Sequence, residues 1–175
     1  MAPNMKSRKI LSAAILILLG VLVASCKVSY SFTGTSIQSD VSTITINYVE
    51  YRALKVNPNL SNQMTEALKE KFRKLTRLEQ VDEEGDLELY CEITGYNVQA
   101  TAITAEEAAA RSRLTVTVKC KFTNRKHSED DFDKNFSAYA DFDANTLLDS
   151  VQDSLCEEIV EKLVDDIFTA SVAQW

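Results

Sequence analysis

The sequence predicts an α+β fold: a two-layer sandwich in which one mostly antiparallel sheet of four or five strands carries two helices on one face. Several short segments alternate apolar and polar side chains, which is the period of a strand with one buried face. Two longer segments repeat apolar residues every three or four positions, which is the period of an amphipathic helix. Because each strand has a single apolar face, the helices are expected to cover that face and leave the other polar.

The alternating segments place the strands along the chain in the order β-β-α-β-β-β-α. A loop at 34–40 separates the first two strands, and a loop or short helical turn at 99–110 interrupts the later ones. The predicted strands are 28–32, 44–48, 87–94, 113–122 and 136–142, with a short additional strand near 78–81.

The first helix is predicted over 60–78, where one face is apolar and the other carries Lys, Arg and Glu. The second begins near Leu148 and continues for about 25 residues, which corresponds to a length of roughly 38 Å. Its apolar stripe consists of Leu148, Val151, Leu155, Ile159, Leu163 and Ile167.

The N-terminus has the pattern of an export signal that ends on a cysteine. Three basic residues precede sixteen uncharged residues at 10–25, and Ala24 and Ser25 supply small side chains before Cys26. This order resembles the bacterial lipobox, which implies cleavage before Cys26 and attachment of a lipid to its thiol. A transmembrane anchor is an alternative, although a span needs about 20 apolar residues. An ordinary cleaved signal with an incidental cysteine is another. The predicted organisation is a signal peptide at 1–25 and one domain at 26–175, tethered through Cys26.

Composition limits the classes of function. Removing 1–25 leaves 16 basic and 26 acidic residues, a net charge of −10. This balance argues against general nucleic-acid binding, which favours a basic surface. The sole histidine, His127, lies in a charged stretch that is predicted to be a loop, and the sequence has neither a glycine-rich phosphate loop nor a GxSxG motif. The sequence therefore favours a protein that is not an enzyme and that uses no cofactor apart from the covalent lipid.

Three cysteines remain besides Cys26, and each lies on the apolar side of its element. They are Cys91, Cys120 and Cys156. Buried free thiols are one reading, because free cysteine behaves as a small hydrophobe. A Cys91–Cys120 disulfide between neighbouring strands in an oxidising compartment is the other. Zinc is not favoured, because the sequence has no CxxC pair.

One strand carries an unusual concentration of positive charge. The segment 111–126 contains six basic residues and no acidic one. Period-two geometry places Arg113, Lys119 and Lys121 on the polar face, together with Thr115 and Thr117. Two readings are compatible: cross-strand pairing with Glu88 and Glu92, or a binding patch for an anionic partner such as the phosphates of a glycolipid.

The order of several short motifs resembles the Bacteroidetes branch of the LptE-like lipopolysaccharide-assembly lipoproteins. The motifs follow the lipobox in this order: 30–34 (YSFTG), 57–61 (NPNLS), 65–68 (TEAL), 85–87 (GDL), 93–96 (ITGY), 113–118 (RLTVTV), 139–142 (YADF) and 165–168 (DDIF).

The resemblance implies a lipoprotein that sits as a plug in the lumen of a large outer-membrane β-barrel, LptD, and helps lipopolysaccharide reach the outer leaflet. We expect a one-to-one complex, with contacts at Thr115, Thr117 and the 99–110 segment. The resemblance assigns no glycolipid-binding residues to this sequence, and binding at Arg113, Lys119 and Lys121 is expected from their charge alone. Because no acidic cluster follows Cys26, the expected location is the periplasmic face of the outer membrane. The alternative is a scaffold lipoprotein of another envelope assembly.

Overall fold

A computed structural model describes residues 37–55, 57–101 and 110–172. The signal peptide, Cys26, the predicted strand at 28–32 and positions 102–109 of the predicted 99–110 contact segment therefore lie outside the described residues. The described elements are β1 (Thr43–Ile46), β2 (Glu50–Tyr51), α1 (Leu60–Leu75), β3 (Glu79–Gln80), β4 (Leu87–Ala100), β5 (Arg111–Asn124), a 3-10 turn (Ser128–Asp130), β6 (Phe132–Asp143) and α2 (Leu148–Val172).

The sheet is mixed, so the prediction of a mostly antiparallel sheet was wrong in this respect. Its strands run in the order β3-β1-β4-β5-β6, and the two-residue β2 also pairs with β4. The β4–β5 and β5–β6 pairings are antiparallel, whereas β1 pairs in parallel with both β3 and β4. The parallel pairings arise because α1 carries the chain back to the same end of the sheet before β3 and β4 begin.

Both helices and one face of the sheet share a single hydrophobic core, which confirms the α+β fold. Ile159, Leu163 and Ile167 of α2 are fully buried. The two helices meet where the rings of Phe72 and Phe168 pack edge to face, with centroids 5.1 Å apart. Each buried aliphatic side chain contributes about 1.5–3 kcal/mol to the free energy of unfolding, so the apolar stripes account for the position of the helices.

Helix α1 ends three residues earlier than the sequence predicts. The Thr76 hydroxyl donates to the Phe72 carbonyl at 2.7 Å and accepts the Leu78 backbone N–H at 3.2 Å. Thr76 itself is extended, so the chain leaves the helix and enters β3. The short strand expected near 78–81 is confirmed as β3.

A carboxylate and a glycine hold the first strand against the turn that precedes β4. Asp86 accepts the backbone N–H groups of Ser42 at 2.8 Å and Thr43 at 3.2 Å. Gly85 lies so close to β1 that an added Cβ would stand 2.6 Å from the Thr45 nitrogen. Only glycine fits there, so the turn before β4 packs directly against β1.

The structure distinguishes between the two readings of the cysteines. Cys91 and Cys120 are register partners on β4 and β5 and form a disulfide with their Cα atoms 4.2 Å apart. Cys156 is a buried free thiol that accepts a hydrogen bond from the Asn57 side-chain amide at 3.4 Å. Burial raises the pKa of this thiol. Cys91 and Cys120 therefore form the disulfide that the sequence left open, and Cys156 is a buried free thiol.

Neither helix among the described residues combines the length and apolar character required to cross a membrane.

Loss of the disulfide is expected to destabilise the domain without changing its fold. The bridge joins positions 29 residues apart, for which loop-closure entropy predicts a cost of about 3–4 kcal/mol. We expect Cys91→Ala/Cys120→Ala to lower the free energy of unfolding by this order in urea titrations at constant pH.

Reductant is the matched control, because it should destabilise the wild type and leave the double variant unaffected. Equal stability of wild type and double variant under oxidising conditions would contradict this account of the bridge.

Candidate functional site

The candidate site is the face of the sheet that the helices leave uncovered, called here the polar sheet face. Side chains on β4, β5 and β6 alternate between this face and the core. All five strand residues that the sequence singled out lie on it, as predicted. Its members are Glu88, Tyr90, Glu92, Thr94, Arg113, Thr115, Thr117, Lys119, Lys121, Asp133, Asn135, Ser137, Tyr139 and Asp141.

Arg113 is held in a fixed orientation by two neighbours on β6. Its Nε and Nη2 atoms donate to the two carboxylate oxygens of Asp141 at 2.7 and 2.9 Å. Its guanidinium lies 3.6 Å from the ring centroid of Tyr139. The hydrogen bonds from Arg113 are the main reason that the pKa of Asp141 is below its usual value. Planar pairing and stacking together restrict Arg113 more than an isolated surface ion pair would.

Lys119 and Lys121 lie toward the other end of β5 and also have acidic neighbours. Lys119 Nζ lies 3.2 Å from the carboxylate of Asp133. The pKa of Glu88 is below its usual value, chiefly because Arg125 donates a hydrogen bond to its carboxylate, and the nearby positive charge of Lys121 lowers it further. Both lysine side chains remain exposed, so they keep contact with solvent while their charges are partly balanced.

The partners of the basic strand differ from those expected. Glu92 lies opposite Lys119 in the register, but it accepts a hydrogen bond from the Tyr90 hydroxyl at 2.9 Å. This bond contributes most to raising the pKa of Tyr90 to about 12. Arg113 and Lys119 pair with β6 instead of with Glu88 and Glu92. Only Arg125, beyond the predicted strand, pairs with Glu88, at 3.0 Å.

The three proposed glycolipid-binding residues do not form one compact site. Six positions of extended chain separate Arg113 from Lys119, which corresponds to roughly 20 Å. They form the two ends of a stripe along β5, so no single phosphate group can contact all three.

Between the two charged ends, the polar sheet face carries short uncharged side chains. Thr117 shares a hydrogen bond with Ser137, with their hydroxyl oxygens 2.8 Å apart. Gly95 lies beside Thr117, and an added Cβ there would stand 3.1 Å from the Thr117 Cβ. The β4–β5 register shifts between Ile93 and Gly95, beside this point. Thr115 and Thr117 are half-buried and form the centre of the uncharged band.

His127 joins the start of the described domain to the hairpin between β5 and β6. Its Nε2 atom lies 3.0 Å from the Asp40 carboxylate, which is the main cause of a raised pKa for His127. The described residues contain no group of three or more side chains arranged to hold a metal ion.

The sequence did not identify Asp133, Tyr139 and Asp141 as members of the site. Their alternation with the apolar residues of β6 would have placed them on the polar face, but alternation alone does not give the β5–β6 register that brings each one to its basic partner.

Comparison with known proteins gives one family match. The model of the family described as "LptE: Lipopolysaccharide-assembly" matches residues 41–171. No curated protein matches the chain.

Several solved structures resemble the domain at low identity. The hypothetical protein CT253 from Chlamydia trachomatis is 11% identical, with a TM-score of 0.49, and the match covers 74% of this chain and 94% of that chain. Rare lipoprotein B from Shewanella oneidensis is 12% identical, with a TM-score of 0.48, and the match covers 74% and 92%. A minor lipoprotein from Acinetobacter baumannii is 11% identical, with a TM-score of 0.43, and the match covers 73% and 89%.

The Arg113–Asp141 pair is expected to contribute measurably to stability. A double-mutant cycle with Arg113→Gln and Asp141→Asn should give a favourable coupling energy at neutral pH, because two hydrogen bonds and the stacked Tyr139 ring hold the pair in one geometry. Because folding lowers the pKa of Asp141, this contribution is present above the unfolded pKa and lost as pH falls through the folded pKa.

The more exposed Lys119–Asp133 pair is the matched control and should give a smaller coupling energy. Urea titrations between pH 7 and pH 3 measure both cycles. A coupling at Arg113–Asp141 that is zero at neutral pH, or that grows as the solution is acidified, would show that the pair does not act in this way.

Proposed function

Because the chain belongs to the lipopolysaccharide-assembly family LptE, we propose that it plugs and helps assemble the outer-membrane β-barrel that delivers lipopolysaccharide to the outer leaflet. The family match over 41–171 is the observation that carries the proposal. It extends across both helices and all six strands, so the family relationship rests on the whole described fold. LptE proteins are assembly lipoproteins and not enzymes. The match does not distinguish branches of the family, and the Bacteroidetes assignment stays a prediction.

The polar sheet face supports the proposed place inside a barrel. The interior of a large outer-membrane barrel is polar and water-lined, and a surface of hydroxyl groups and balanced ion pairs can contact such a wall without burying an unpaired charge. Strand β4 has 14 residues, so the sheet extends for about 46 Å along its length. This length is comparable with the full thickness of a bilayer including its headgroups.

In this proposal Cys26 carries the lipid and holds the domain at the periplasmic face of the outer membrane. Two or more acyl chains give stable anchoring, because each buried methylene contributes about 0.8 kcal/mol. A mature chain whose intact mass shows no acyl groups would exclude this anchor.

Photo-crosslinking tests the barrel partner. A crosslinking amino acid placed singly at Thr115 or Thr117 in living cells should trap one large outer-membrane protein, because these residues form the centre of the proposed contact. The matched control is Glu66, an exposed residue of α1, which should crosslink to that protein less efficiently.

Crosslinks only to other copies of the chain would contradict the proposal. Crosslinks only to soluble periplasmic proteins would also contradict it and would favour a scaffold role in another envelope assembly.

We also propose that the basic stripe of β5 contacts the phosphates of the glycolipid. Lys119 and Lys121 are exposed, and Arg113 is oriented in advance by Asp141 and Tyr139. The acidic neighbours offset part of the attraction, so each contact is expected to be modest. Arg113→Gln/Lys119→Gln/Lys121→Gln should weaken binding to purified lipopolysaccharide on the order of tenfold, the sum of three exposed charge contacts. The residual binding should depend less on salt.

Lys69→Gln/Arg73→Gln/Lys74→Gln removes the same charge from α1 and is the control. Binding is measured by titration at two salt concentrations, and circular dichroism verifies the folded state. Unchanged binding in the β5 variant, or equal weakening in the α1 variant, would refute a specific role for the stripe.

A further inference from the structure

The outer edge of β6 is the long unpaired edge of the described sheet. Within the described residues, β6 pairs only with β5. Lys162 Nζ donates to the Tyr139 carbonyl at 3.0 Å, so this carbonyl points away from β5. Because backbone groups alternate in direction along a strand, the N–H and C=O groups of Asp133, Asn135 and Ser137 point outward as well. Such an edge is a template for another strand.

This edge has few of the features that usually prevent strand pairing. Natural edge strands are protected by charged side chains, by bulges or by a covering segment. The stretch from Asn135 to Ala138 has no charged side chain. The β5–β6 pairing keeps one register along the whole of β6, so the strand is not bent by a bulge. Residues 133–139 can therefore receive a regular partner strand.

The helix side of β6 carries an aromatic ring with a positive charge before it. Phe136 is only half-buried, although it packs edge to face on Phe132 with ring centroids 6.0 Å apart. Lys134 lies on the same side of the sheet, with its Nζ atom 5.2 Å from the centroid of the Phe132 ring. Its side chain is exposed, and no carboxylate in the described part of the chain forms an ion pair with it.

The other side of Phe136 carries negative charge. A groove of about 490 Å³ lies where β6 meets the flank of α2, and it is lined by Ser137, Ala138, Tyr139, Lys162, Asp165 and Asp166. Asp165 pairs with Lys71 of α1 at 2.6 Å. Asp166 is exposed, and its carboxylate pairs with no Lys, Arg or His among the residues described. Along this edge an ammonium group, a ring and a carboxylate therefore follow one another.

This order is self-complementary about Phe136. In a two-fold contact each group on one copy meets its counterpart on the other, and the same contact is made twice. We propose that two copies of the chain associate through the outer edges of their β6 strands, antiparallel, with Phe136 opposite Phe136 of the second copy. Lys134 then lies opposite Ala138 of the second copy, beside the groove that holds that copy's Asp166. The two half-buried rings cover each other, and the two sheets become continuous.

The charges of β6 distinguish this register from its neighbours. A pairing centred on Ser137 would place Asp133 opposite Asp141 of the second copy, twice, and like charges directly opposite destabilise a strand pair. A pairing centred on Asn135 would place Lys134 opposite Phe136, away from the acidic groove. The pairing centred on Phe136 places uncharged Tyr139 and Ser137 opposite Asp133 and Asn135.

The pairing closes the assembly at two copies. Both long edges are used in one two-fold contact, so each outer end of the joined sheet is the two-residue strand β3. Thr115 and Thr117 lie one strand inside the contact and stay uncovered. The inference concerns the free lipoprotein and does not depend on a barrel partner. A barrel that encloses a single domain would have to separate the two copies.

Symmetric crosslinking tests the pairing in the full mature lipoprotein in detergent. Phe136 lies on the proposed two-fold axis, in a pair without hydrogen bonds whose Cα atoms are about 4.5 Å apart, which allows a disulfide. Mild oxidation of Phe136→Cys should therefore give a covalent dimer in high yield. Ser137→Cys is the control, because its two copies would be more than about 7 Å apart, beyond the reach of a disulfide. Equal yield in the two variants, or no covalent dimer in either, would overturn the proposal.

Exchanging charges gives a second readout that leaves Phe136 in place. Lys134→Glu should raise the dissociation constant of the dimer on the order of tenfold, because two attractive contacts become repulsive. Lys134→Glu/Asp166→Lys should restore the wild-type constant. Arg77→Glu makes the same change of charge between α1 and β3, at the opposite edge of the sheet, and should leave the constant unchanged.

Sedimentation equilibrium in density-matched detergent measures the four dissociation constants, and circular dichroism verifies the folded state of each variant. A wild-type chain that remains monomeric at every concentration would overturn the proposal. Equal effects of Lys134→Glu and Arg77→Glu, or a double variant no tighter than Lys134→Glu alone, would also overturn it.

Discussion

The antiparallel ladder between β4 and β5 is the constraint on which the rest of the structure depends. It runs from Leu87 opposite Asn124 to Ala100 opposite Ser112, and its two faces carry different chemistry. A slip of one residue would move the core residues of one strand to solvent and its charged residues into the core. The Cys91–Cys120 disulfide joins register partners within this ladder, so it reinforces the register that the buried apolar face of the two strands already sets.

The features predicted correctly from the sequence are those that depend on local periodicity. Alternation from Leu114 to Phe122 showed which side chains of β5 are buried, and the spacing from Leu148 to Ile167 showed the stripe of α2. Strand direction could not be predicted in the same way. The alternation at Ile44 and Ile46 would be the same beside a parallel or an antiparallel strand. The relative direction of the strands depends on how α1 returns the chain to the sheet. The two residues of β2 are too few to show a period.

The candidate site was only partly predictable for a related reason. The sequence places Arg113, Lys119 and Lys121 on one face, and the structure agrees. Whether they attract an anion depends on the charges of the residues that lie opposite them on the neighbouring strand. The β5–β6 register places Asp141 opposite Arg113 and Asp133 opposite Lys121, and the flexible Lys119 side chain reaches diagonally to Asp133. A concentration of positive charge in the sequence therefore becomes a nearly balanced surface in three dimensions.

The two layers of the domain offer different surfaces to a large partner. The outer sides of the helices carry long charged side chains in ion pairs, such as Lys71 with Asp165 at 2.6 Å and Lys162 with Glu158 at 2.7 Å. Ordering a long side chain such as Lys or Glu costs up to about 2 kcal/mol of conformational entropy. Thr115, Thr117 and Ser137 are short and already joined in part by a hydrogen bond, so they lose less entropy on contact. The centre of the polar sheet face is therefore the surface on which a polar wall can pack at the lower entropic cost. The charged ends of β5 would keep their hydration or pair with ionic groups of the partner.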